Sequence, residues 1–290
     1  MPDPLRLTWV GHSTVLLELA GRRFLTDPFL RDRLGPLRRR GPSVDIDAIG
    51  RLDAVLLSHA HPDHFDRRSI RRLQGDPLII VPAGLGRVVE RMGFSAHELT
   101  EGERRNVGGL GVTAVPAHHG RWPRHRAATT LGYLIERSPR SPSVYFAGDT
   151  SAFAGLGALS GHVDVALLPI GSWGPHSAPW HLGPRGAARL AHTIGARVVV
   201  PIHWGTFYPA GLARVWGGPL DRPGIQFRGA CAELARATEL RVLAPGERTT
   251  VQLPSAPRPR RRSDPADHHA QEQEHGRDDE REDAELIGHD

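Results

Sequence analysis

Residues 54–66 read Ala-Val-Leu-Leu-Ser-His-Ala-His-Pro-Asp-His-Phe-Asp, an apolar run that ends in three imidazoles and a carboxylate within six residues. Four apolar residues bounded by polar ones fit a strand buried on both faces. Alternation along the extended segment that follows puts His59 and His61 on one side, where they can share one ion. The chain then bends toward a helix beginning near Asp66, so Asp63 and His64 leave the alternation and turn toward a second ion. Asp66 stands where a helix N-cap belongs, and capping is its expected role. Apolar strands seldom end in four ligand-type side chains without a metal to use them.

The same arrangement recurs outward along the chain. Short β-type runs are expected at residues 5–10, 14–19, 23–27, 54–58, 78–82, 112–116, 130–136, 143–149, 163–170 and 197–203. Helices are expected over Arg67 to Leu73, Gly84 to Met92, Pro184 to Thr193 and Cys231 to Thr238. Strands mixed with helical segments indicate an α/β layered domain rather than a bundle or an all-β sandwich. His118 and His119 follow the run ending at Pro116-Ala117, Asp149 follows Phe146 to Gly148, and His203 follows Ile202. Strand ends that deliver ligands to one rim of a sheet are how rigid elements position a metal site. Alternation lets only one of the neighbours His118 and His119 face inward.

Hydrophobic residues make up 39% of the 290, enough to fill a sizeable core. The N-terminal stretch has no basic segment ahead of an apolar core and meets Glu18 early, so it reads as neither a signal peptide nor a spanning helix. No later stretch supplies the roughly 20 apolar residues a membrane helix needs, and a cytoplasmic protein is expected. The single cysteine, Cys231, rules out an internal disulfide framework and leaves any metal to His and carboxylates. In its helical context it reads as a small buried residue rather than a nucleophile.

The segment 254–290 carries 6 Arg against 11 Asp and Glu, a net of −5; the whole chain is +5, so residues 1–253 carry +10. Dense in Pro and charge and poor in large apolar residues, 254–290 is expected to be a disordered charged tail behind a folded domain spanning 1–253. Its His268, His269 and His275 read as solvated residues. Every one of the 37 basic residues is Arg. Two readings of that stay open, a GC-rich genome and a preference for phosphate or anionic lipid surfaces.

The run His59-Ala60-His61-Pro62-Asp63-His64, with a later His, Gly148-Asp149-Thr150 after a strand and a last His after another, resembles the metallo-β-lactamase superfamily. Leu25-Thr26-Asp27-Pro28, residues 33–42, Phe146-Ala147-Gly148-Asp149-Thr150, Leu168-Pro169-Ile170-Gly171 and residues 202–207 narrow the likeness. Over about residues 5 to 245 the chain is similar to the N-acylphosphatidylethanolamine-hydrolysing phospholipase D branch and its bacterial relatives. The resemblance implies an α/β fold of the metallo-β-lactamase kind, a four-layer αβ/βα sandwich. It also implies two divalent metal ions, Zn first with Mn or Fe as alternatives. His59, His61 and His119 would hold one ion and Asp63, His64 and His203 the other, with Asp149 bridging.

The family pattern Pro-x-x-His places the ligand at His119 and leaves His118 as a neighbour that packs or hydrogen-bonds; the reverse assignment is the alternative. His181, in Trp180-His181-Leu182-Gly183-Pro184, matches a position that faces the metals, with a role in substrate contact or leaving-group protonation. His12 matches a family position read as structural, holding a strand turn near the metal loop. Asp27 reads as an acceptor for a metal-bound imidazole N–H. The branch carries Trp after the His at position 119 and Arg two residues further on. This chain has Gly120, Arg121 and Trp122, a departure at the substrate end rather than at the metals.

Two cations acidify a shared water to near neutrality and neutralise charge on a phosphoryl or carbonyl oxygen, so no nucleophilic side chain is required. No Gly-x-Ser-x-Gly elbow or Cys-His arrangement occurs. The expected activity is hydrolysis by a metal-bridging hydroxide oriented by Asp149, on a phosphodiester such as a phospholipid head group, with peripheral membrane contact. Arg121, or its neighbours Arg124 and Arg126, would meet the substrate anion. The alternative substrate is a lactone or ester of a small phosphorylated molecule. A groove lined by Trp173, Trp180 and Trp204 would favour lipid, a compact polar pocket the small substrate. Nucleic-acid processing or binding is the alternative from another class. Against it, the metal motifs leave no room for the further domain such nucleases carry, and no aromatic-basic RNA signature occurs.

Overall fold

A computed structural model describes residues 4–119, 129–137, 143–171, 181–211 and 213–252. The expected tail, 254–290, lies outside the described residues. Each of the ten expected β-type runs is a strand.

The first sheet contains β1 (Leu5–Gly11), β2 (Thr14–Leu19), β3 (Arg22–Thr26), β6 (Ala54–Leu56), β7 (Leu78–Pro82), β8 (Ala96–Leu99) and β17 (Arg248–Val251), in the order β17-β1-β2-β3-β6-β7-β8. The second contains β9 (Arg104–Val107), β10 (Leu110–Pro116), β11 (Leu131–Glu136), β12 (Ser143–Phe146), β13 (Val165–Pro169), β14 (Val198–Ile202) and β16 (Glu239–Leu240), in the order β16-β14-β13-β12-β11-β10-β9. Both sheets begin as antiparallel meanders and switch to parallel pairing, at β3–β6 in the first and β12–β13 in the second. A small third sheet joins β15 (Phe207–Pro209), β5 (Leu37–Arg39) and β4 (Arg33–Leu34).

Strand alternation builds the layers. Leu5, Leu7, Trp9, Val15, Leu17, Phe24, Ala54, Leu56 and Ile80 of the first sheet pack against Val112, Ala114, Tyr133, Ile135, Val144, Phe146, Leu167 and Val200 of the second. The intervening residues point the other way. Leu16, Leu25, Val55, Leu57, Ile79 and Val81 form a separate core on the outer face of the first sheet with Ile49, Ile70 and Val89. Those three belong to α1 (Ile46–Ile49), α2 (Arg67–Ile70) and α3 (Gly86–Glu90). Tyr145, Ala147, Ala166, Leu168 and Val199 cover the outer face of the second sheet with residues of α4 (Pro184–Thr193) and α5 (Ala213–Leu234). The result is helices, sheet, sheet, helices, with apolar runs buried on both faces as the sequence requires.

Two local outcomes bear on the sequence reading. Asp66 caps α2, accepting from the backbone N–H of Ser69 at 3.1 Å. The helix expected to begin at Cys231 begins instead at Ala213 and ends at Leu234. Gly224 and the prolines 219 and 223 read locally as breakers. Burial of Phe227, Ala230 and Cys231 against the second sheet and α4 outweighs that preference.

Candidate metal centre

The ligand-type residues meet at the carboxyl ends of the strands, where the loops of both sheets open onto one rim. Asp27 follows β3, His59 to His64 follow β6, His118 and His119 follow β10, Asp149 follows β12 and His203 follows β14. His12 occupies the β1–β2 turn. Tight turns are needed to aim them. Gly148 has φ +60, and a Cβ there would lie 2.6 Å from the Cβ of Ser58, so only glycine lets the Asp149 loop close on the His59 loop. His12, Asp27 and His203 adopt φ of 55°, 30° and 59°, a region that non-glycine residues occupy at a cost the surrounding contacts must offset.

Four overlapping groups of nitrogens and oxygens result among the described residues, two of which hold most of the expected ligands. His59, His61 and His119 form one, in which His119 Nε2 is 3.2 Å from His61 Nδ1. Asp63, His64, His203 and His12 form the other, in which His64 Nε2 is 3.2 Å from His203 Nε2 and 3.3 Å from Asp63 Oδ2. Asp149 Oδ2 lies between the groups, 3.2 Å from His64 Nε2, 3.3 Å from His203 Nε2 and 4.0 Å from His119 Nε2. His181 Nδ1 approaches the same oxygen to 3.9 Å. His118 points elsewhere: its ring stacks on Phe153 at 3.8 Å, while its backbone N–H donates to Thr150 Oγ1.

Outer contacts hold these side chains. Asp27, fully buried, accepts from His64 Nδ1 at 2.6 Å and from the Ser58 backbone N–H at 2.7 Å. Gly171 O accepts from His203 Nδ1 at 3.0 Å. His12 is the residue whose reach the sequence concealed. Its Nε2 is 2.9 Å from Asp63 Oδ2, its carbonyl accepts from the His203 N–H, and its ring lies 4.1 Å from that of His203. The Gly-His-Ser between two early strands is the one signal available, and it does not specify a partner 51 residues away.

The donor set fits divalent metal ions. Nε2 of His59, Oδ1 of Asp149 and Nδ1 of His181 are buried without a hydrogen-bond partner, an arrangement that is costly unless something else binds them. Imidazole nitrogens facing each other at 3.2 Å need a proton or a cation between them. Burial raises the carboxyls of Asp63 and Asp149, but the neighbouring imidazoles outweigh it and hold both well below the usual range. Burial lowers His64 and His203, but the surrounding carboxylates outweigh it and hold both above the ordinary imidazole value. Protons on these imidazoles thus occupy the positions that cations would take, and metal binding would displace them. Burial holds His59 well below its usual value and His61 at about 4, which leaves both as neutral nitrogen donors.

Trp204 stacks on Trp9 at 5.5 Å and packs against both cores of the second sheet. Trp173, Trp180, Arg121, Arg124 and Arg126 lie outside the described residues. Cys231 is buried, as expected.

Residues 22–204 match the family described as beta-lactamase superfamily domain. A UPF0173 metal-dependent hydrolase of Methanopyrus kandleri is 32% identical over 84% of this chain and 98% of its own length. N-acyl-phosphatidylethanolamine-hydrolyzing phospholipase D 1 of Caenorhabditis elegans is 32% identical over 74% of this chain and 67% of its own. The chain spans 63% of the length of the Mycobacterium tuberculosis relatives that it matches at 35% identity. Among solved structures, Igni18, a metallo hydrolase of Ignicoccus hospitalis, superposes with a TM-score of 0.67 over 87% of this chain and 100% of its own, at 24% identity. Fold, strand-end histidines and family match agree, and the chain belongs to the metallo-β-lactamase superfamily.

Proposed function

We propose that the protein is a binuclear hydrolase acting on phosphodiesters, with a phospholipid head group as the leading substrate class. The observation that carries the two-ion reading is the position of Asp149 Oδ2, within 3.2 to 4.0 Å of imidazole nitrogens from both donor groups. His59, His61 and His119 would hold one ion, Asp63, His64 and His203 the other, and Asp149 would bridge. Zinc is the metal of choice for this His-rich set, with Mn or Fe able to substitute. A pair of such ions supplies an acidified water and neutralises charge on a phosphoryl oxygen.

The chain's own residues then orient and exclude. Asp149 fixes the spacing of the two groups, and His12 and Asp27 steady Asp63 and His64 by hydrogen bonds of 2.9 and 2.6 Å. His181, whose Nδ1 lies 3.9 Å from Asp149 Oδ2, would contact the substrate. Burial holds its ring at about 4, so at neutral pH it is a neutral group suited to contacting substrate. Arg121 would meet the substrate anion.

Support for the phosphodiester comes from the Caenorhabditis elegans relative and from the +10 charge of residues 1–253. Trp204, packed on Trp9, adds nothing in favour of lipid. The domain would end near residue 253, with the remainder a charged tail. A cytoplasmic location and peripheral membrane contact accompany this reading; no helix among the described residues is long and apolar enough to cross a membrane. The test is a turnover screen of zinc-loaded protein against phosphodiesters, N-acylated phospholipids, lactones and thioesters. Phosphodiester turnover that disappears in Asp149→Asn is expected. Turnover of lactones or simple esters alone would replace the phosphodiester reading with the small-substrate one.

A further inference from the structure

Asp27 and Ser58 are joined to both donor groups by a single chain of hydrogen bonds. Asp27 Oδ2 is 2.6 Å from His64 Nδ1 and 2.6 Å from Ser58 Oγ, and Ser58 Oγ is 2.9 Å from His59 Nδ1. The donors can be assigned by elimination. An ionised carboxylate only accepts, so the Ser58 hydroxyl donates to Asp27, and His64 donates to Asp27 through Nδ1–H. The hydroxyl has one proton and has spent it on Asp27, so toward His59 its oxygen is an acceptor and His59 donates through Nδ1–H. Both imidazoles thereby carry a proton on Nδ1, and Nε2 is the atom each turns toward the metal groups. His59 Nε2 is one of the buried atoms without a hydrogen-bond partner, and His64 Nε2 is the atom facing His203, Asp63 and Asp149.

We propose that Ser58 is a positioning residue that transmits the charge of one carboxylate, Asp27, to a histidine of each metal group, so that a single anion sets the tautomer of both His59 and His64. The pair is held for this purpose. Asp27, Ser58 and His64 are each 0% exposed. The second carboxylate oxygen of Asp27 accepts the Ser58 backbone N–H at 2.7 Å, which fixes the two residues face to face. Thr14 Oγ1 donates to the Asp27 carbonyl at 2.7 Å, and the Asp27 N–H donates to the Leu56 carbonyl at 2.9 Å, which stabilises its left-handed backbone. The Ser58 hydroxyl has no other hydrogen-bond partner in this network, and a methyl group would fill the same packing against Gly148. Such outer partners are worth about 10- to 100-fold in metal affinity where they have been removed.

This inference rests on the reading of His59 and His64 as ligands, and the test separates the two. In the full-length protein, long-range proton–nitrogen correlation spectra of the metal-free form report which nitrogen of each histidine carries a proton, and chelator competition of the zinc-loaded form reports zinc affinity. Ser58→Ala should loosen the tautomer of His59 and weaken zinc binding about 10-fold while His64 keeps its Nδ1–H. Asp27→Asn, which retains shape, should disturb both rings and cost about 100-fold. Wild-type tautomers and affinity in Ser58→Ala would overturn the relay while leaving the ligand reading intact. A wild-type protein that takes up no zinc would overturn both.

Discussion

Replacing Asp149 with Asn keeps the shape of the side chain and removes a negative charge that touches both donor groups. The carboxylate is 1% exposed, and its Oδ2 lies 3.2 Å from His64 Nε2, 3.3 Å from His203 Nε2 and 4.0 Å from His119 Nε2. Two unit charges about 4 Å apart at an effective dielectric of about 20 interact by about 4 kcal/mol. At 1.36 kcal/mol per decade this corresponds to about 10³-fold. Asp149→Asn should therefore lower phosphodiester turnover by about three orders of magnitude and reduce the metal content from two ions per chain toward one. Elemental analysis after zinc saturation and desalting measures the second effect, and a chromogenic phosphodiester assay at matched free zinc measures the first. Circular dichroism checks that the fold is retained. Two tightly held ions together with wild-type turnover in Asp149→Asn would refute the bridging assignment.

Other substitutions probe neighbouring claims. His118→Ala should keep its zinc and most activity, because that ring is engaged with Phe153, whereas His119→Ala should lose zinc from the His59–His61 group; elemental analysis showing the opposite would exchange their roles. Deleting residues 254–290 should leave the melting temperature and small-substrate turnover nearly unchanged, and a fall of more than a few degrees would show that the segment joins the core. Burial pushes the Cys231 thiol up to about 11, so at pH 8 its thiolate fraction is about 10⁻³. The native protein should accordingly resist a disulfide-exchange reagent that titrates one thiol after unfolding, and rapid native reaction would show the residue to be open.

Both the layers and much of the rim were legible because each rests on a local pattern. The run 54–57 is apolar at every position, and the folded chain buries both faces of it. Histidine and aspartate directly after such runs are easily noticed, and the rim gathers them. Elements without an apolar signature escaped. β9, Arg-Arg-Asn-Val, exposes three of its four residues, and β4 and β5 are short Arg-rich pieces that pair with each other, β5 also with β15. The extent of α5 was hidden by Pro and Gly, whose local cost tertiary burial outweighs. The contacts of His12 were hidden for a different reason. Its bond to Asp63 spans 51 residues and its carbonyl contact with His203 spans most of the chain, and no local spacing encodes either.

The division of the donors between two sheets has a mechanical consequence. His59, His61, Asp63 and His64 ride on the strands of one sheet, and His119, Asp149 and His203 on those of the other. Their separation is therefore a dimension of the seam between the sheets rather than of any single loop. Phe24, Leu56, Tyr133 and Phe146 fill that seam and act as its spacers, although none is among the donors. A spacer trimmed by a few carbon atoms would let one sheet slide or tilt on the other, and ångström-scale changes between opposing donors would follow. The rim thus behaves as a caliper whose jaws are the two halves of the chain and whose setting is the thickness of the apolar layer behind them.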